Sequence, residues 1–425
     1  MEIIVLGGGI SGISAGYHIN SDLHNTTIYE ARKSWGGLLD NFKIPGGFTF
    51  DRFIHLSFTE NEYVKGLFDK SVKSISHKPI SYNLSNGNWL KHPAQFNLAP
   101  LPIVEKFNII KSFILRNPNS EIKSYYDWLV KNYGDYFAVN YSNKYTRKYW
   151  TVDSKLLTSS WLSTRFKVPG LYEVLKGSIK TQNDNHYYAK EMRYPKNGSY
   201  KNYLNYMVDN SKIELNKKAV LIDPKNKKVE FSDNSFKHYD KIISSIPLPE
   251  IIKIIKDVPR KVLESSKKLV ATSGQLVSIG FKKNIDKHLW YYIYDEEFLP
   301  SRAWSPSLKS PNNAPPNKSS IQFETYFSSY KPKTLNGDDL KEHIIKKSKE
   351  NNLFNPNEIE SIDYREVKYA NIIFDHHRKN NLKIVHDYLK SINIEFIGRF
   401  GEWDYLWSDQ CVFSGRKVAN KINNL

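Results

Sequence analysis

Three glycines and one acidic residue near the amino terminus have the types and the spacing that bind a diphosphate and a ribose. Gly7, Gly9 and Gly12 form a G-x-G-x-x-G pattern, and Glu30 follows downstream. Gly7 permits a tight turn, Gly9 lets a pyrophosphate approach the backbone, and Gly12 lets a helix lie close to a strand. The Glu30 carboxylate can accept two hydrogen bonds from a ribose diol. This pattern predicts a dinucleotide-binding site.

The elements that must position these residues are also visible in the sequence. Residues 3–6 form an apolar run typical of a strand, a helical pattern begins at Ile10, and a second apolar run over 26–29 ends at Glu30. The amino terminus of the predicted helix offers free N–H groups and a partial positive charge to phosphates. The order of strand, glycine turn, helix, strand and acid argues against a chance glycine turn.

The residues after Glu30 indicate which dinucleotide is bound. Arg32 lies in a short linker that leads to Gly36 and Gly37. An acid, a linker with a basic residue and then Gly-Gly is typical of flavoproteins with two dinucleotide-binding domains, in which the Gly-Gly backbone passes near FAD. We therefore predict FAD, and not NAD, as the resident cofactor, and we predict no metal site.

Length and composition limit the cellular context. A chain of 425 residues can bury a large core and is expected to form roughly two or three domains. Cys411 is the single cysteine, which excludes a disulfide within the chain and fits a reducing compartment. No apolar run approaches the ~20 residues of a membrane helix, and the chain begins with a strand pattern and not with a signal peptide. We predict a cytoplasmic protein without an integral membrane segment.

The net charge of +18 raises the question of nucleic-acid binding. The lysines are scattered singly and in pairs, as at Lys217-Lys218 and Lys346-Lys347, and do not form a stripe with aromatic partners. We therefore predict no nucleic-acid partner and attribute the charge to a Lys- and Asn-rich composition, with an anionic ligand as a second contributor.

The remaining patterns predict an α/β architecture built from discontinuous segments. Residues 218–236 read as a hairpin, 239–245 as a buried strand, and 83–102 as a loop within a mainly helical stretch. The predicted fold is a Rossmann-like FAD-binding domain of the two-dinucleotide-binding-domain flavoprotein type, with an inserted helical domain and a mixed β-sheet substrate domain. The predicted boundaries are 1–62, 189–250 and 395–425 for the FAD-binding domain, 63–188 for the mainly helical substrate-side domain, and 251–394 for the β-sheet substrate domain.

Six further segments carry candidate site residues in a fixed order along the chain. They are Phe50-Asp51 with His55, His92 to Leu98 after Trp89, Tyr145 to Trp150, Trp161 to Arg165, Arg302 with Ser310-Pro311, and Gly398 to Gln410. Together these segments resemble the UDP-galactopyranose mutase family, which lies within the flavin amine oxidase and protoporphyrinogen oxidase-like superfamily. The resemblance extends over nearly the whole chain.

The resemblance implies a flavin-dependent isomerase that interconverts the pyranose and furanose forms of a nucleotide-diphosphate sugar. UDP-galactose or a related sugar nucleotide would be the partner ligand, and the furanose product would serve surface polysaccharide such as capsule or lipopolysaccharide. In the family, N5 of reduced FAD attacks the anomeric carbon to form a sugar adduct while the nucleotide diphosphate leaves and returns. FAD would be kept reduced by NAD(P)H or a partner reductase.

The resemblance also implies which residues act, with His55, Arg165 and Arg302 as the catalytic set. Arg165 and Arg302 would grip the diphosphate, because guanidinium binds phosphate in a bidentate fork and stabilises charge on a departing group. For a single arginine, a surface or salt-bridged residue would be the better interpretation, and the pair in matching contexts favours the ligand role. His55 would lie against the isoalloxazine ring or would be a hydrogen-bonded core histidine. Tyr405 would bind a phosphate or would serve aromatic packing.

The full sets of predicted binding residues follow from the pattern and the resemblance together. The predicted cofactor-binding residues are Gly7, Gly9, Ile10, Ser11, Gly12, Glu30, Ala31, Gly37, Leu38, His55, Val220, Arg399, Tyr405, Asp409 and Gln410. The predicted substrate-binding residues are Gln95, Asn97, Tyr145, Trp150, Trp161, Arg165, Arg302, Tyr369, Asn371 and Tyr405. Trp150 and Trp161 could form the floor of the uracil and sugar pockets, or they could belong to the core.

Three departures from the family pattern leave the sugar open. Phe53-Ile54 stands where the family has a glycine before the flavin-facing histidine, and glycine would let the backbone flip. Tyr369 to Ile372 lacks the proline of the family's Tyr-Pro motif, and Trp407 stands where bacterial members tend to carry an acid. The substrate could therefore be another nucleotide hexose, deoxyhexose or heptose.

Two rival interpretations remain. An FAD-dependent oxidoreductase of the amine oxidase or protoporphyrinogen oxidase type would share the strand that stops at Pro247 and the helix of Ser414-Gly415 to Ala419. A non-catalytic nucleotide-sugar or flavin binder would share the arginines. The oligomeric state stays open, including a homodimer or a larger homo-oligomer.

Overall fold

The structure is a computed structural model, and it describes residues 1–162, 166–187, 189–285 and 287–425. The strands are β1 Glu2–Leu6, β2 Asn25–Tyr29, β3 Asn41–Ile44, β4 Phe48–Asp51, β5 Ser74–His77, β6 Tyr82–Ser85, β7 Asn88–Lys91, β8 Met192–Pro195, β9 Ile213–Glu214, β10 Ala219–Asp223, β11 Lys228–Phe231, β12 Phe236–His238, β13 Lys241–Ser244, β14 Ser273–Phe281, β15 Trp290–Ile293, β16 Arg302–Trp304, β17 Ser319–Phe327, β18 Ile359–Val367 and β19 Ile394–Phe396. The helices are α1 Ile10–His18, α2 Glu62–Ser71, α3 Ile103–Leu115, α4 Tyr125–Tyr133, α5 Asp135–Phe137, α6 Lys144–Tyr149, α7 Leu171–Ile179, α8 Asn205–Asp209, α9 Leu248–Ile254, α10 Arg260–Lys267, α11 Pro306–Lys309, α12 Gly337–Glu350, α13 Arg378–Ser391 and α14 Ser408–Asn423.

A five-stranded parallel sheet holds the amino-terminal glycine turn. Its strand order is β19-β13-β1-β2-β9, and all four pairings are parallel. The apolar residues of β1 and β13 are almost completely buried, as expected for strands covered on both faces. Helices α1 and α14 pack so closely that a Cβ added at Gly415 would lie 2.5 Å from the carbonyl oxygen of Ser11. This arrangement confirms the predicted Rossmann-like α/β fold.

A seven-stranded mixed sheet forms the second layer, with the order β18-β14-β17-β16-β15-β6-β7. The prediction of a loop over 83–102 in a mainly helical range is wrong for its first part, because β6 and β7 form a hairpin that extends this sheet. Asn86 and Gly87 both have positive φ, at 48° and 73°. Two such residues make the tight turn that matches the twist of paired strands, so this Asn-Gly pair marks a hairpin and not a loop.

The predicted hairpin over 218–236 is confirmed by the antiparallel pairing of β10 and β11, which β12 extends to three strands. Asp223 closes the turn by accepting hydrogen bonds from the backbone N–H and the side-chain amide of Asn226, at 3.2 and 2.9 Å. The predicted division of the chain into domains stays a prediction, and strand pairings such as β5 with β8 and β6 with β15 cross its boundaries.

A buried ion pair ties the end of β4 to α11, the short helix between β16 and β17 of the mixed sheet. Lys309 Nζ donates to Asp51 Oδ2 at 2.6 Å, and neither side chain has exposed surface. Tyr194 donates its hydroxyl to the same carboxylate oxygen at 2.9 Å. The Lys309 ammonium also lies 3.7 Å from the ring centroid of Trp304. These contacts fix the start of the segment that carries Phe53, Ile54 and His55.

Candidate functional site

A cavity of about 540 Å³ lies at the carboxyl ends of the parallel strands and opens toward the mixed sheet. Its first wall consists of residues that follow β1, β2, β13 and β19, among them Gly7, Glu30 and Arg399. Trp290, Arg302 and Tyr326 line the far wall. Ligands of open parallel sheets bind in this crevice, beyond the carboxyl ends of the strands.

The glycine turn has the geometry of a diphosphate cradle. A Cβ at Gly12 would lie 1.9 Å from the carbonyl oxygen of Gly7, so only glycine allows α1 to begin this close to β1. Gly9 and Gly37 both line the cavity and pack directly against each other, because a Cβ at Gly37 would lie 3.1 Å from the Cα atom of Gly9. The free N–H groups at the start of α1 therefore meet the cavity without side chains in the way.

Glu30 is held in a fixed orientation at one end of the cavity. Its Oε2 accepts the N–H of Gly8 at 2.7 Å, and its Oε1 accepts the N–H of Arg32 at 2.9 Å. The side chain is buried yet lines the cavity. Each oxygen keeps a second lone pair, which suits the ribose diol that the sequence predicts.

His55 lines the middle of the cavity, where its ring centroid lies 5.3 Å from that of Tyr200. Burial lowers the pKa of His55 well below its ordinary value, and the positive charges of Lys309, Arg399 and Arg302 lower it further. The imidazole is therefore neutral near pH 7 and can hydrogen-bond a ligand without adding charge.

Arg302 places a buried cation at the far end. Its Nε donates to Glu324 Oε2, and its Nη2 donates to the hydroxyl of Tyr326 at 2.9 Å. The guanidinium carbon lies 5.1 Å from the ring centroid of Tyr149. Burial alone would lower the pKa of Arg302, but Glu324 raises it well above the ordinary value, so the side chain stays charged.

Glu324 joins this arginine to the loop before His55, and the sequence analysis did not recognise its importance. The carboxylate has no exposed surface, and its Oε1 accepts the N–H of Ile54 at 2.6 Å and the indole N–H of Trp304 at 2.9 Å. Glu324 pairs directly with Arg302 between adjacent strands β16 and β17. The signal that could have found it is a lone acid inside the otherwise uncharged strand of residues 319–327.

The departure at Phe53-Ile54 has a structural explanation. Phe53 has a φ of 66°, a left-handed conformation that favours glycine. Its ring stacks on Tyr326 with a centroid distance of 5.7 Å and covers Gly274, where a Cβ would lie 2.4 Å from the ring. Packing thus holds a bulky residue in the backbone conformation that a glycine would adopt more readily.

A cluster of polar and aromatic side chains surrounds Arg399, which follows β19. Two nitrogens of Arg399 donate to the carbonyl oxygen of Leu406 at 2.9 and 2.6 Å, and the guanidinium lies 5.1 Å from the ring of Tyr405. Asn371 Oδ1 accepts the hydroxyl of Tyr149 at 3.3 Å. Tyr369 donates its hydroxyl to Glu250 at 2.6 Å. These residues form the wall between the two ends of the cavity.

Most predicted cofactor residues come together in this cavity. Those that line it are Gly7, Gly9, Ile10, Ser11, Glu30, Ala31, Gly37, Leu38, His55, Arg399, Tyr405 and Asp409. Gly12 does not line the cavity and lies against the carbonyl oxygen of Gly7 in the turn. Val220 lies outside the lining, because side chains alternate along a strand and Ala219 takes the inward position in β10. Gln410 is also outside and accepts the N–H of Trp407 at 2.8 Å at the start of α14.

The predicted substrate residues divide into two groups. Arg302, Tyr369, Asn371 and Tyr405 line the cavity, as does Trp407. Asn97 does not, because it is fully buried and binds the carbonyl of Pro93 and the N–H of Gln182. Those that lie outside the lining are Gln95, Asn97, Tyr145, Trp150 and Trp161. Arg165 belongs to residues 163–165, which lie outside the described part of the chain.

The two tryptophans lie behind the cavity wall. The ring centroids of Trp150 and Trp161 are 5.4 and 6.2 Å from that of Tyr405, and 4.7 Å from each other. Trp161 donates its indole N–H to the carbonyl of Thr158 at 2.8 Å. The placement of both rings favours the core interpretation over a direct contact with the uracil or the sugar.

Comparison with known proteins bears on the fold. Residues 5–71 match the family of NAD(P)-binding Rossmann-like domains. The crystal structure of a reduced UDP-galactopyranose mutase aligns with a TM-score of 0.93 at 22% sequence identity, covering 100% of this chain and 95% of that one. The chain has the UDP-galactopyranose mutase fold. The resemblance found in the sequence is thus confirmed at the level of the fold.

Solved structures of oxidases are also similar to this chain. A putative protoporphyrinogen oxidase from Exiguobacterium sp. 255-15 aligns with a TM-score of 0.76 at 14% identity, covering 100% of this chain and 98% of that one. A redesigned putrescine oxidase aligns with a TM-score of 0.66 at 14% identity, covering 100% and 99%. Within the described residues, no helix combines the length and the apolar character needed to cross a membrane.

Proposed function

We propose that this protein is an FAD-dependent mutase that interconverts the pyranose and furanose forms of a nucleotide-diphosphate sugar. The observation that carries the proposal is Arg302, a permanent cation with a 12% exposed side chain that lines the same cavity as Glu30. A diphosphate bound there would lie beside His55 and Ile54. The proposal includes a cytoplasmic location and a role in surface polysaccharide synthesis.

The cavity residues fit FAD. The backbone at Gly9 and Gly37, which carries no side chains where it lines the cavity, suits a pyrophosphate, and the Glu30 carboxylate suits the ribose diol but would repel a 2′-phosphate. Gly9, Ser11, Glu30, Gly37 and Arg399 would hold the cofactor. When bound and reduced, FAD supplies the nucleophile for the anomeric carbon of the sugar. NAD(P)H or a partner reductase is the proposed electron source.

The chain's own residues would hold and balance charge. Because Nε and Nη2 of Arg302 bind Glu324 and Tyr326, we assign Nη1 to a diphosphate oxygen. A fixed cation there stabilises negative charge on the departing diphosphate. Arg165 is the proposed second cation, and the Tyr405 hydroxyl would donate to the same group. Neutral His55 would orient the ligand without competing for the phosphates.

A second candidate is an FAD-dependent oxidoreductase of the amine oxidase or protoporphyrinogen oxidase type. The aromatic far wall of Tyr149, Trp290 and Tyr326 suits an apolar substrate, and oxidases share the fold. An apolar or amine substrate would offer no anionic acceptor to Nη1 of Arg302, whose Nε and Nη2 already bind Glu324 and Tyr326, and we therefore prefer the mutase.

The deciding experiment offers a panel of UDP-, GDP- and dTDP-sugars to the FAD-loaded protein, reduced with dithionite under anaerobic conditions. A new furanose peak by chromatography, absent with oxidised protein, is expected for one member of the panel. Tight nucleotide binding without isomerisation would indicate a binding protein instead. Substrate-dependent bleaching that recovers in air with oxygen consumption would indicate an oxidase.

Arg302→Ala tests the assigned cation directly. Loss of a charge-assisted hydrogen bond is expected to weaken UDP binding by about 1.5–3 kcal/mol, measured by titration calorimetry on FAD-loaded protein. Arg260→Ala serves as the control, because Arg260 is an exposed arginine on α10. Equal UDP affinity in both variants would show that Arg302 does not bind the diphosphate.

A further inference from the structure

Two neighbouring helices, α3 and α7, expose an unusual amount of apolar surface. Ile103, Val104 and Phe107 on α3 and Tyr172, Leu175 and Ile179 on α7 are all exposed, with Ile103 at 76% and Ile179 at 83%. We call these six residues the α3–α7 face. Ile114 and Leu115 on α3 and Leu171 on α7 are exposed as well, whereas Leu23, Phe236 and Tyr330 lie singly on other parts of the described chain, as exposed apolar residues commonly do.

The two helices form one continuous surface. Lys106, which lies between Val104 and Phe107, donates to the carbonyl oxygen of Ser178 at 3.3 Å, next to Ile179. The segment before α3 is also joined to α7, because the N–H of Ala99 donates to the carbonyl of Gly177 at 2.8 Å. The opposite sides of the helices are buried, with Phe113 and Val174 in the core.

The charges around the face are mainly positive. Lys111 on α3 and Lys180 just after α7 are exposed, and Lys106 and Lys176 lie on the same two helices. The acids on this side are Glu173 in the first turn of α7 and Asp184, which lies 3.6 Å from Lys176. The acid of α3, Glu105, accepts the hydroxyls of Tyr136 and Tyr141 at 2.9 Å each, so its charge faces the neighbouring helical segments. An exposed apolar face with a cationic rim is the surface character of interfacial amphipathic helices.

This charge distribution favours a lipid surface over a second copy of the protein as the binding partner of the α3–α7 face. If two copies met through the same face, the lysines of each would approach those of the other, and both chains carry a net charge of +18. An anionic lipid surface attracts the same lysines and accepts the apolar side chains. We propose that the α3–α7 face docks the protein peripherally on an anionic membrane surface. This proposal does not depend on the proposed reaction.

The test is co-sedimentation of the full chain with vesicles of equal parts phosphatidylcholine and phosphatidylglycerol, beside vesicles of phosphatidylcholine alone. We expect binding to the anionic vesicles only, weakened by salt. The triple variant Ile103→Ser, Phe107→Ser, Ile179→Ser is expected to lower the partition coefficient about tenfold or more. The matched control is Leu23→Ser with Phe236→Ser, because Phe236 is 55% exposed against 64% for Phe107.

A second arm separates charge from apolar contact. Lys111→Glu with Lys180→Glu is expected to abolish the preference for anionic vesicles, whereas Lys237→Glu with Lys346→Glu, both exposed and elsewhere, is expected to weaken binding far less. Unchanged binding by the triple variant, or no binding by the parent chain, would overturn the proposal. Light scattering would also overturn the proposal if it showed a dimer of the parent chain and a monomer of the triple variant. The α3–α7 face would then bind a second copy of the protein.

Discussion

At the scale of single residues, Glu324 connects the parts of the site that would act on a ligand. One buried carboxylate accepts hydrogen bonds from Arg302, Tyr326, Trp304 and the backbone of Ile54. Because the loop and the arginine share this one acceptor, a change in either affects the position of the other. Removing one partner of a buried ion pair leaves the other charge unpaired, which costs more than the pair contributed.

Glu324→Gln is therefore expected to destabilise the protein by about 3 kcal/mol. The amide keeps the shape of the side chain but opposes Arg302 with an N–H donor and leaves the guanidinium without its counter-charge. Urea unfolding followed by circular dichroism gives the free energy of unfolding. The control is Glu342→Gln, an exposed glutamate on α12, for which a change below about 0.5 kcal/mol is expected. Equal effects in the two variants would show that the buried carboxylate is not needed.

At the scale of elements, the loop between β4 and α2 combines an unfavourable backbone with favourable packing. Phe53 adopts a φ of 66°, and its ring is packed between Tyr326 and Gly274. The left-handed conformation costs roughly 1–2 kcal/mol for a residue with a side chain, whereas emptying the site of a buried phenylalanine costs about 3–5 kcal/mol. Packing is the larger effect.

Phe53→Gly is accordingly expected to lower the free energy of unfolding by about 2 kcal/mol, although glycine suits the backbone better. Asn234→Gly is the matched control, because Asn234 has a φ of 65° in an exposed turn and fills no cavity. That control is expected to change stability by only a few tenths of a kcal/mol, about as much as Gly and Asn differ in such turns. A gain in stability for Phe53→Gly would mean that backbone strain dominates the loop.

At the scale of the whole molecule, several half-buried histidines couple folding to pH. Burial lowers the pKa of His92 to about 3, and it lowers those of His288 and His386 to about 4. In the unfolded chain an imidazole takes up a proton near pH ~6.5. Below that pH the unfolded state binds more protons than the folded state, so the free energy of unfolding falls as the pH falls.

His92→Asn tests this coupling at the most deeply buried of the three sites. Between about pH 6 and pH 5, His92 should contribute up to ~1.4 kcal/mol per pH unit to the loss of stability, and the variant should lack that contribution. Asparagine can keep the side-chain hydrogen bond that His92 Nδ1 makes with Asn83 at 3.1 Å. His238→Asn, on the exposed strand β12, is expected to leave the slope unchanged. An unaltered slope in His92→Asn would contradict the coupling.

The strand, glycine turn, helix and acid at one end of the cavity could be predicted from the sequence alone. Gly7, Gly9, Gly12 and Glu30 lie within one strand, turn, helix and strand unit, and each role depends on neighbours that are close along the chain. Local backbone conformation and the parallel pairing of β1 with β2 follow from such a unit. Arg302, which lines the same cavity, was also predicted, because its flanking residues resemble a family segment.

The surroundings of Arg302 could not be predicted from the sequence and became visible only in the folded structure. The pairing of Arg302 with Glu324, the hydrogen bond from Ile54 and the packing of Phe53 on Tyr326 join segments that are distant along the chain. The same holds for Trp150 and Trp161, which a sequence pattern cannot assign to a cavity or to the core behind it. Strand register and side-chain packing set these contacts, and both depend on the whole sheet at once and not on any short stretch of residues.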